Sequence, residues 1–335
     1  VQNSLFGDSS AAVVGSVDFD PSLTEITNAL PRNLHLGTSS WSYPGWAGIV
    51  WDRDYSDSKL SRYGLPAYSK HPLFRCVGID RSFYKPLSIA QFSTYAAQVP
   101  DDFRFVVKAP SLVTDALVRD EEGRGRRINS NFFDPEITVR DFIEPALEGL
   151  GNKLGALVFQ ISPLPYSWLL DISIVIERLR LLLQSIPDLK HKAPDSVVAV
   201  EVRDPQWLTR EFVEVLRANG ATYCMGLHAK MPPIAEQLPI LRALWPGPLV
   251  CRWSLNPLHG AYGYEDAEQQ YEPFDQIQDP DIETRNSLAR VIAGTVGAGQ
   301  NAYVTLSNQA EGCSPLSTVE LARTVRTLLN ERNKT

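Results

Sequence analysis

GALVFQ at 155–160 and VVAVEV at 197–202 are short, almost unbroken apolar runs that each carry a polar or charged residue near the C-terminal end. A strand buried on both faces, as in a parallel sheet, needs this composition rather than polar alternation. Six similar runs occupy 34–40 (LHLGTSS), 75–80 (RCVGID), 103–108 (FRFVVK), 221–227 (ATYCMGL), 249–254 (LVCRWS) and 301–306 (NAYVTL). Helical spacing fills the intervals near 57–70, 88–98, 135–149, 168–186, 208–219, 233–244, 281–297 and 316–330, with Ser88 and Thr209 as N-terminal caps and Gly220 as a stop. Eight strand–helix pairs predict an α/β chain folded as a (β/α)8 TIM barrel. The rival is an open, doubly wound sheet. It would carry GxGxxG or GxxxxGK[ST] after a strand, and neither occurs, which also leaves no organic cofactor motif.

The expected organisation is a flexible or draped N-terminal arm over 1–33, rich in Ser and Asp, followed by one barrel domain over 34–330. With 335 residues, 44% hydrophobic and 21% charged, the chain can bury a large core without disulfides or metal. A net charge of −7 excludes a generally basic nucleic-acid coat, although not a local basic cleft. Cys76, Cys224, Cys251 and Cys313 are widely spaced, matching neither a zinc knuckle nor a secreted disulfide scaffold, so reduced thiols and a cytoplasmic location are expected. The apolar run 168–186 contains Asp171, Glu177, Arg178 and Arg180, which fits a packed amphipathic helix and not a membrane span. Nothing resembles a signal peptide.

In a TIM barrel, chemistry gathers where strands end. Read in order, the strand ends offer Trp41, Ser42 and Tyr43, then Asp80 and Arg81, Lys108, Gln160, Glu201 and Arg203, His228, Arg252, and Asn308 with Glu311. Glu201 and Arg203, two apart on one strand, point to the same side, either as a buried ion pair closing a barrel layer or as a base beside an anion-binding guanidinium. Asp80 is a second carboxylate, with a turn-fixing role as the alternative. His228, Glu201 and Asp80 would make a metal triad, but the histidines do not cluster, and a divalent metal is not the favoured reading. Trp41, Tyr43 and Trp46, with Gly37 and Gly45, form either a loop packed on the rim or a stacking platform for a sugar or base. The loop 109–134, with Arg119, Arg124, Arg126 and Arg127 among Asp120, Glu121 and Glu122, reads as a solvated loop or a phosphate-clamping lid, and 255–280 is a second long loop.

At these residues the chain resembles the YecE-like proteins, domain of unknown function 72. The resemblance spans 34–330 and rests on GTSSWSYPGW (37–46), GIDRSFYKP (78–86), PDDFRFVVKAP (100–110), LGALVFQISPLP (154–165), VAVEVRDPQW (198–207) and SNQAEG (307–312). It implies a TIM barrel related in fold to the sugar isomerase and endonuclease IV group, and no established reaction. The family's first-strand Gly-Thr-Ser and Trp correspond to Gly37, Thr38, Ser39 and Trp41, its lysine to Lys108, its Glu-x-Arg to Glu201 and Arg203, its late arginine to Arg252, and its last-strand Asn and Gly to Asn308 and Gly312. Departures fall at Gly78 and Asp80 (for Glu-x-Asn), Thr114 and Asp115 (for Thr-His), Arg252-Trp253-Ser254 (for Arg-Leu-His-Gly) and Ser307-Asn308-Gln309 (for Asn-Asn-Asp), which weakens a metal or nuclease mechanism. MPPIAEQ at 231–237 reads as this branch's own signature.

The functional expectation is an enzyme acting on a small anionic, phosphate- or carbohydrate-type substrate by acid/base chemistry at the C-terminal barrel face: a hydrolase, lyase or isomerase. Glu201, Asp80 and Lys108 are the catalytic candidates; Trp41, Tyr43, Gln160, Arg203, His228, Arg252 and Asn308 the substrate-binding ones. The alternatives are nucleic-acid binding or phosphodiester processing, disfavoured by the charge, and a non-catalytic ligand-binding barrel. A small anionic ligand is the expected partner, with no membrane; the number of subunits is left open.

Overall fold

Eight parallel strands close on one another in chain order: β1 (Leu34–Thr38), β2 (Phe74–Ile79), β3 (Arg104–Lys108), β4 (Leu154–Gln160), β5 (Val197–Glu201), β6 (Thr222–Leu227), β7 (Leu249–Trp253) and β8 (Ala302–Leu306), with β8 pairing back to β1. Each apolar run became one stave. The computed structural model describes residues 13–119 and 125–332. The principal outer helices are α1 (Asp57–Tyr63), α2 (Ile89–Ala96), α3 (Glu144–Leu150), α4 (Ile172–Ser185), α5 (Arg210–Ala218), α6 (Ile234–Ala243), α7 (Ile282–Gly297) and α8 (Ser314–Arg332). This is the α/β barrel expected. Among the described residues, no helix is long and apolar enough to cross a membrane.

Local chemistry explains the boundaries. The Ser88 hydroxyl accepts from Gln91 N while the Gln91 side chain answers the Ser88 N–H, a reciprocal cap on α2. Thr209 caps α5 through Phe212 N, and Gly220 turns the chain at φ +64°, where a side chain would be strained. The helical interval 57–70 is split at Gly64, Pro66 following in the next short helix, Leu65–Tyr68.

The arm and the long loops carry more local structure than their composition suggests. Within 13–33, part of the arm expected to be flexible or draped, Pro21–Asn28 form a helix: Asp20 caps it by accepting from Ser22 N, Pro21 preorganises its first turn, and Ile26 is buried. The Asn33 amide then ties the segment to the carbonyls of Val296 and Gln300; residues 1–12 of that arm lie outside the described residues. The two long loops also carry structure. Leu117–Arg119 and Gly125–Ile128 pair as an antiparallel hairpin within 109–134, and Tyr264–Tyr271 form a helix within 255–280.

The core has two compartments. Most buried apolar side chains pack between sheet and helices, whereas Cys76, Val106, Ala156, Val158, Val197, Ala199, Cys224, Val250 and Tyr303 form a separate cluster within the barrel. Side chains alternate along a strand, so residues of the same parity face inward too. Counting upward from this waist gives Lys108, Gln160, Glu201 and Arg252. Counting downward gives Arg104 and, on β1, where Gly37 lies opposite Cys76, His35.

Candidate functional site

Glu201, at the end of β5, is fully buried and is the centre of a network of charges. Its Oε2 accepts from Arg252 Nη1 at 2.8 Å, and its Oε1 lies 2.6 Å from Arg203 Nη2. Arg252, from β7, also donates Nη2 to both oxygens of Asp80, at 3.0 and 2.8 Å, so that one guanidinium ties two carboxylates by charge-assisted hydrogen bonds. Gln160 Oε1 accepts from Arg203 Nη2 and Arg252 Nη1, each at 3.0 Å. Residues up to 172 positions apart thus meet at one end of the barrel. Gly226 on β6 makes room: a Cβ there would meet Glu201 Oε1 at 3.2 Å and Cγ at 3.3 Å.

The electrostatics divide these groups by role. Burial alone would raise the Glu201 carboxyl, but Arg203 and Arg252, with Lys108 behind them, hold it down to about 2. Burial lowers the Lys108 ammonium to about 8, the pull of Asp80 and the push of Arg252 being smaller effects. Lys108 Nζ sits 3.8 Å from the centroid of the Phe83 ring, a cation–π contact. Among the described residues that ammonium has no hydrogen bond or ion pair, and Arg203 Nη1 is buried without an acceptor. Three cations therefore face two carboxylates.

His228 is half-buried just beyond β6, where its Nδ1 lies 3.2 Å from Lys230 N. Burial first, and then Arg203, lowers its ring to about 4, so it is neutral near pH 7. Among the described residues, no three His, Cys, Asp or Glu side chains are grouped as metal ligands, and two members of the proposed triad, Glu201 and Asp80, are engaged by Arg252 instead.

Other candidates are used for packing. Trp41 is 6% exposed, its indole N–H donates to Leu60 O at 3.2 Å, and its ring meets Tyr95 edge-on, so it offers no open face for stacking. Tyr43 packs against Trp46 and Phe274, and its hydroxyl is pushed up by burial and then by Tyr264 and Asp80. Asn308 is fully buried; its Oδ1 accepts from Trp46 Nε1, Ser314 N and Ser314 Oγ, which pins the loop and the start of α8, while its Nδ2 is buried without a partner. Glu311 pairs with Arg285 of α7 at 2.5 Å. The MPPIAEQ signature has a structural explanation: Gln237, fully buried, accepts from Tyr223 Oη at 2.7 Å and donates to the carbonyls of Gly226 and Pro232.

Sequence reasoning missed the groove beside this network. About 1000 Å³ in volume, it is lined by Phe83 and Tyr84 after β2, Leu117, Val118 and Arg127 of the hairpin, and Lys230 after β6. Phe83 lines the groove and also supports Lys108. Tyr84 and Tyr262 are 83% and 89% exposed, and Lys230 Nζ lies 4.4 Å from the Tyr262 ring centroid. The signal was present in RSFY (81–84), one turn beyond a strand end. Of the arginine-rich loop, Arg127 contributes to the groove wall, while residues 120–124, Arg124 among them, lie outside the described residues.

A family model described as protein of unknown function DUF72 matches residues 35–335. Two solved structures are similar in fold. One is a DUF72 family protein (TM1631) from Thermotoga maritima MSB8, 21% identical, covering 87% of this chain and 98% of its own, with a TM-score of 0.56. The other is a DUF72 family protein (EF0366) from Enterococcus faecalis V583, 17% identical, covering 89% and 95%, with a TM-score of 0.55. No curated protein matches the chain.

Proposed function

We propose a function for this chain, which belongs to the DUF72 family: an enzyme that binds a small anionic, phosphate- or carbohydrate-type substrate at the C-terminal mouth and transfers a proton there. The observation that carries this reading is Lys108, an ammonium without a counter-ion among the described residues and lowered by burial to about 8. A proton-transfer group works best with a pKa near the working pH. Glu201 is poorly suited to that step, because a carboxyl held near 2 by two guanidinium groups gives up its proton readily and takes one back only in acid. Its part is to fix Arg203 and Arg252, leaving Arg203 Nη1 to donate to an oxygen of the substrate. Asp80 holds Arg252 from the other side. Lys108, neutral in the fraction that has lost its proton, is then the general base.

The test is a turnover screen over sugar phosphates and sugar acids, repeated with Lys108→Met. On a converted substrate, kcat/KM of the wild type should rise with pH and level above about 8, and the variant should lose about two to four orders of magnitude. A rate that instead falls as pH passes 8 would make Lys108 an electrostatic anchor. An unimpaired K108M would remove it from the mechanism.

A further inference from the structure

The opposite end of the barrel is also polar. TIM barrels concentrate function at the C-terminal face, and their N-terminal face serves stability. Here a cavity of about 520 Å³ opens at the strand starts, among Arg32, Asn33, His35, Arg75, Arg104 and Asp195. His35 and Arg104 come from the starts of β1 and β3 and share the inward parity of the barrel's inner cluster. The His35 ring stacks on Tyr303 of β8, centroids 4.8 Å apart.

Accounting for the hydrogen bonds separates the arginines. Arg75 is spent on carbonyls: Pro31 and Leu34 from Nη1, Thr27 from Nη2. Arg104 gives Nη1 to the carbonyls of Asp101 and Phe103 and Nη2 to Asp195 Oδ2 at 2.8 Å. Its Nε remains buried with no acceptor, and His35 Nδ1, on a residue only 6% exposed, is likewise without a partner. Two orphaned polar atoms beside one cavity are uncommon, since each costs about 1–3 kcal/mol when unmet. The charges around the cavity are three guanidinium groups against Asp102 and Asp195. Burial, with Arg104 and Arg75 adding to it, keeps the His35 ring neutral down to about 4; the Arg75 backbone engages one ring nitrogen, so Nδ1 presents a lone pair rather than a donor.

We propose that this N-terminal cavity is a second ligand site, one that takes a small oxyanion, a phosphate or carboxylate group, held by Arg104 Nε and Arg32 beside the His35 ring. An oxyanion supplies the acceptor Arg104 Nε lacks and balances the excess positive charge. The volume exceeds a single water's roughly 30 Å³ many times over and lies within the range of small-molecule pockets. Thr27 and Asn28, from the helix Pro21–Asn28, line the same space, so the ligand bridges that helix to the barrel. Nothing in this assignment rests on the chemistry at the C-terminal mouth.

The experiment follows the histidine ring signals of the full chain by NMR while inorganic phosphate, sodium acetate or sodium chloride is added at constant ionic strength. Phosphate, acetate or both should shift the His35 signals saturably, and chloride should not; the responding anion identifies the group. Arg32→Gln, at an exposed position where folding is not at stake, should weaken the response several-fold, and Arg104→Lys, which keeps the charge but removes Nε, by about tenfold. Lys108→Met should leave it intact, which keeps failure at this site distinct from failure at the other. No saturable shift with either anion, or an unchanged response in both Arg32→Gln and Arg104→Lys, would overturn the proposal.

Discussion

Replacing Glu201 with Gln removes one negative charge from a place where two guanidinium groups were arranged around it. Their own desolvation then goes uncompensated, and breaking a buried pair from one side costs about 3–5 kcal/mol. Urea unfolding should show that loss for E201Q, and the double variant E201Q/R203M should recover part of it by withdrawing one of the stranded charges. Equal stability for E201Q and the wild type would mean the network is not the anchor described. The strand-end reading reached the members of this network one by one, because the residue at the end of each apolar run is visible in the sequence. It offered one partnership, Glu201 with Arg203 two residues along the same strand, and the two do pair. What it could not give was partnership between strands: Asp80 stood as a second carboxylate or a turn-fixing one, and only the fork of Arg252 shows that it shares a cation with Glu201. Trp41 and Asn308 were legible as strand-end residues too, but whether an indole faces a ligand or the Leu60 carbonyl depends on neighbours far along the chain.

At the level of elements, the strands were easy to read because burial on both faces leaves little freedom of composition, and the helix starts because capping is local. Ser88→Ala should therefore cost about 1 kcal/mol in chemical denaturation, and a change under a few tenths would show that α2 is held by packing alone. The loops were harder. The hairpin within 109–134 pairs Leu117 with Ile128 and Val118 with Arg127, a register set by the two arms meeting rather than by either arm's composition. The helix Pro21–Asn28 was missed for a related reason: eight residues with one buried side chain leave a faint periodicity, and its support comes from contacts with the barrel.

For the molecule as a whole, acid should be destabilising well before the carboxylates titrate. His35 and His228 are lowered to about 4, and His71 to about 3, mainly by burial. In the unfolded chain each titrates near 6.5, so between there and the folded values the unfolded state binds more protons, and stability drops as the solution is acidified. Glu201, held near 2, adds its own loss only below about 4.5. The melting temperature should be level between about pH 7 and 8, where both the histidines and Lys108 hold the same charge folded and unfolded, and decline from about 6.5 downward; a decline that begins only below about 4.5 would assign acid sensitivity to the carboxylates alone. The apolar waist of the barrel has a further consequence. Cys76, Val106, Cys224 and Val250 are at most 2% exposed, so the two polar ends have no wet passage between them. Protons and solutes must reach each chamber from its own side, and the two can be at different states of occupancy at the same moment, like rooms that share a wall but no door.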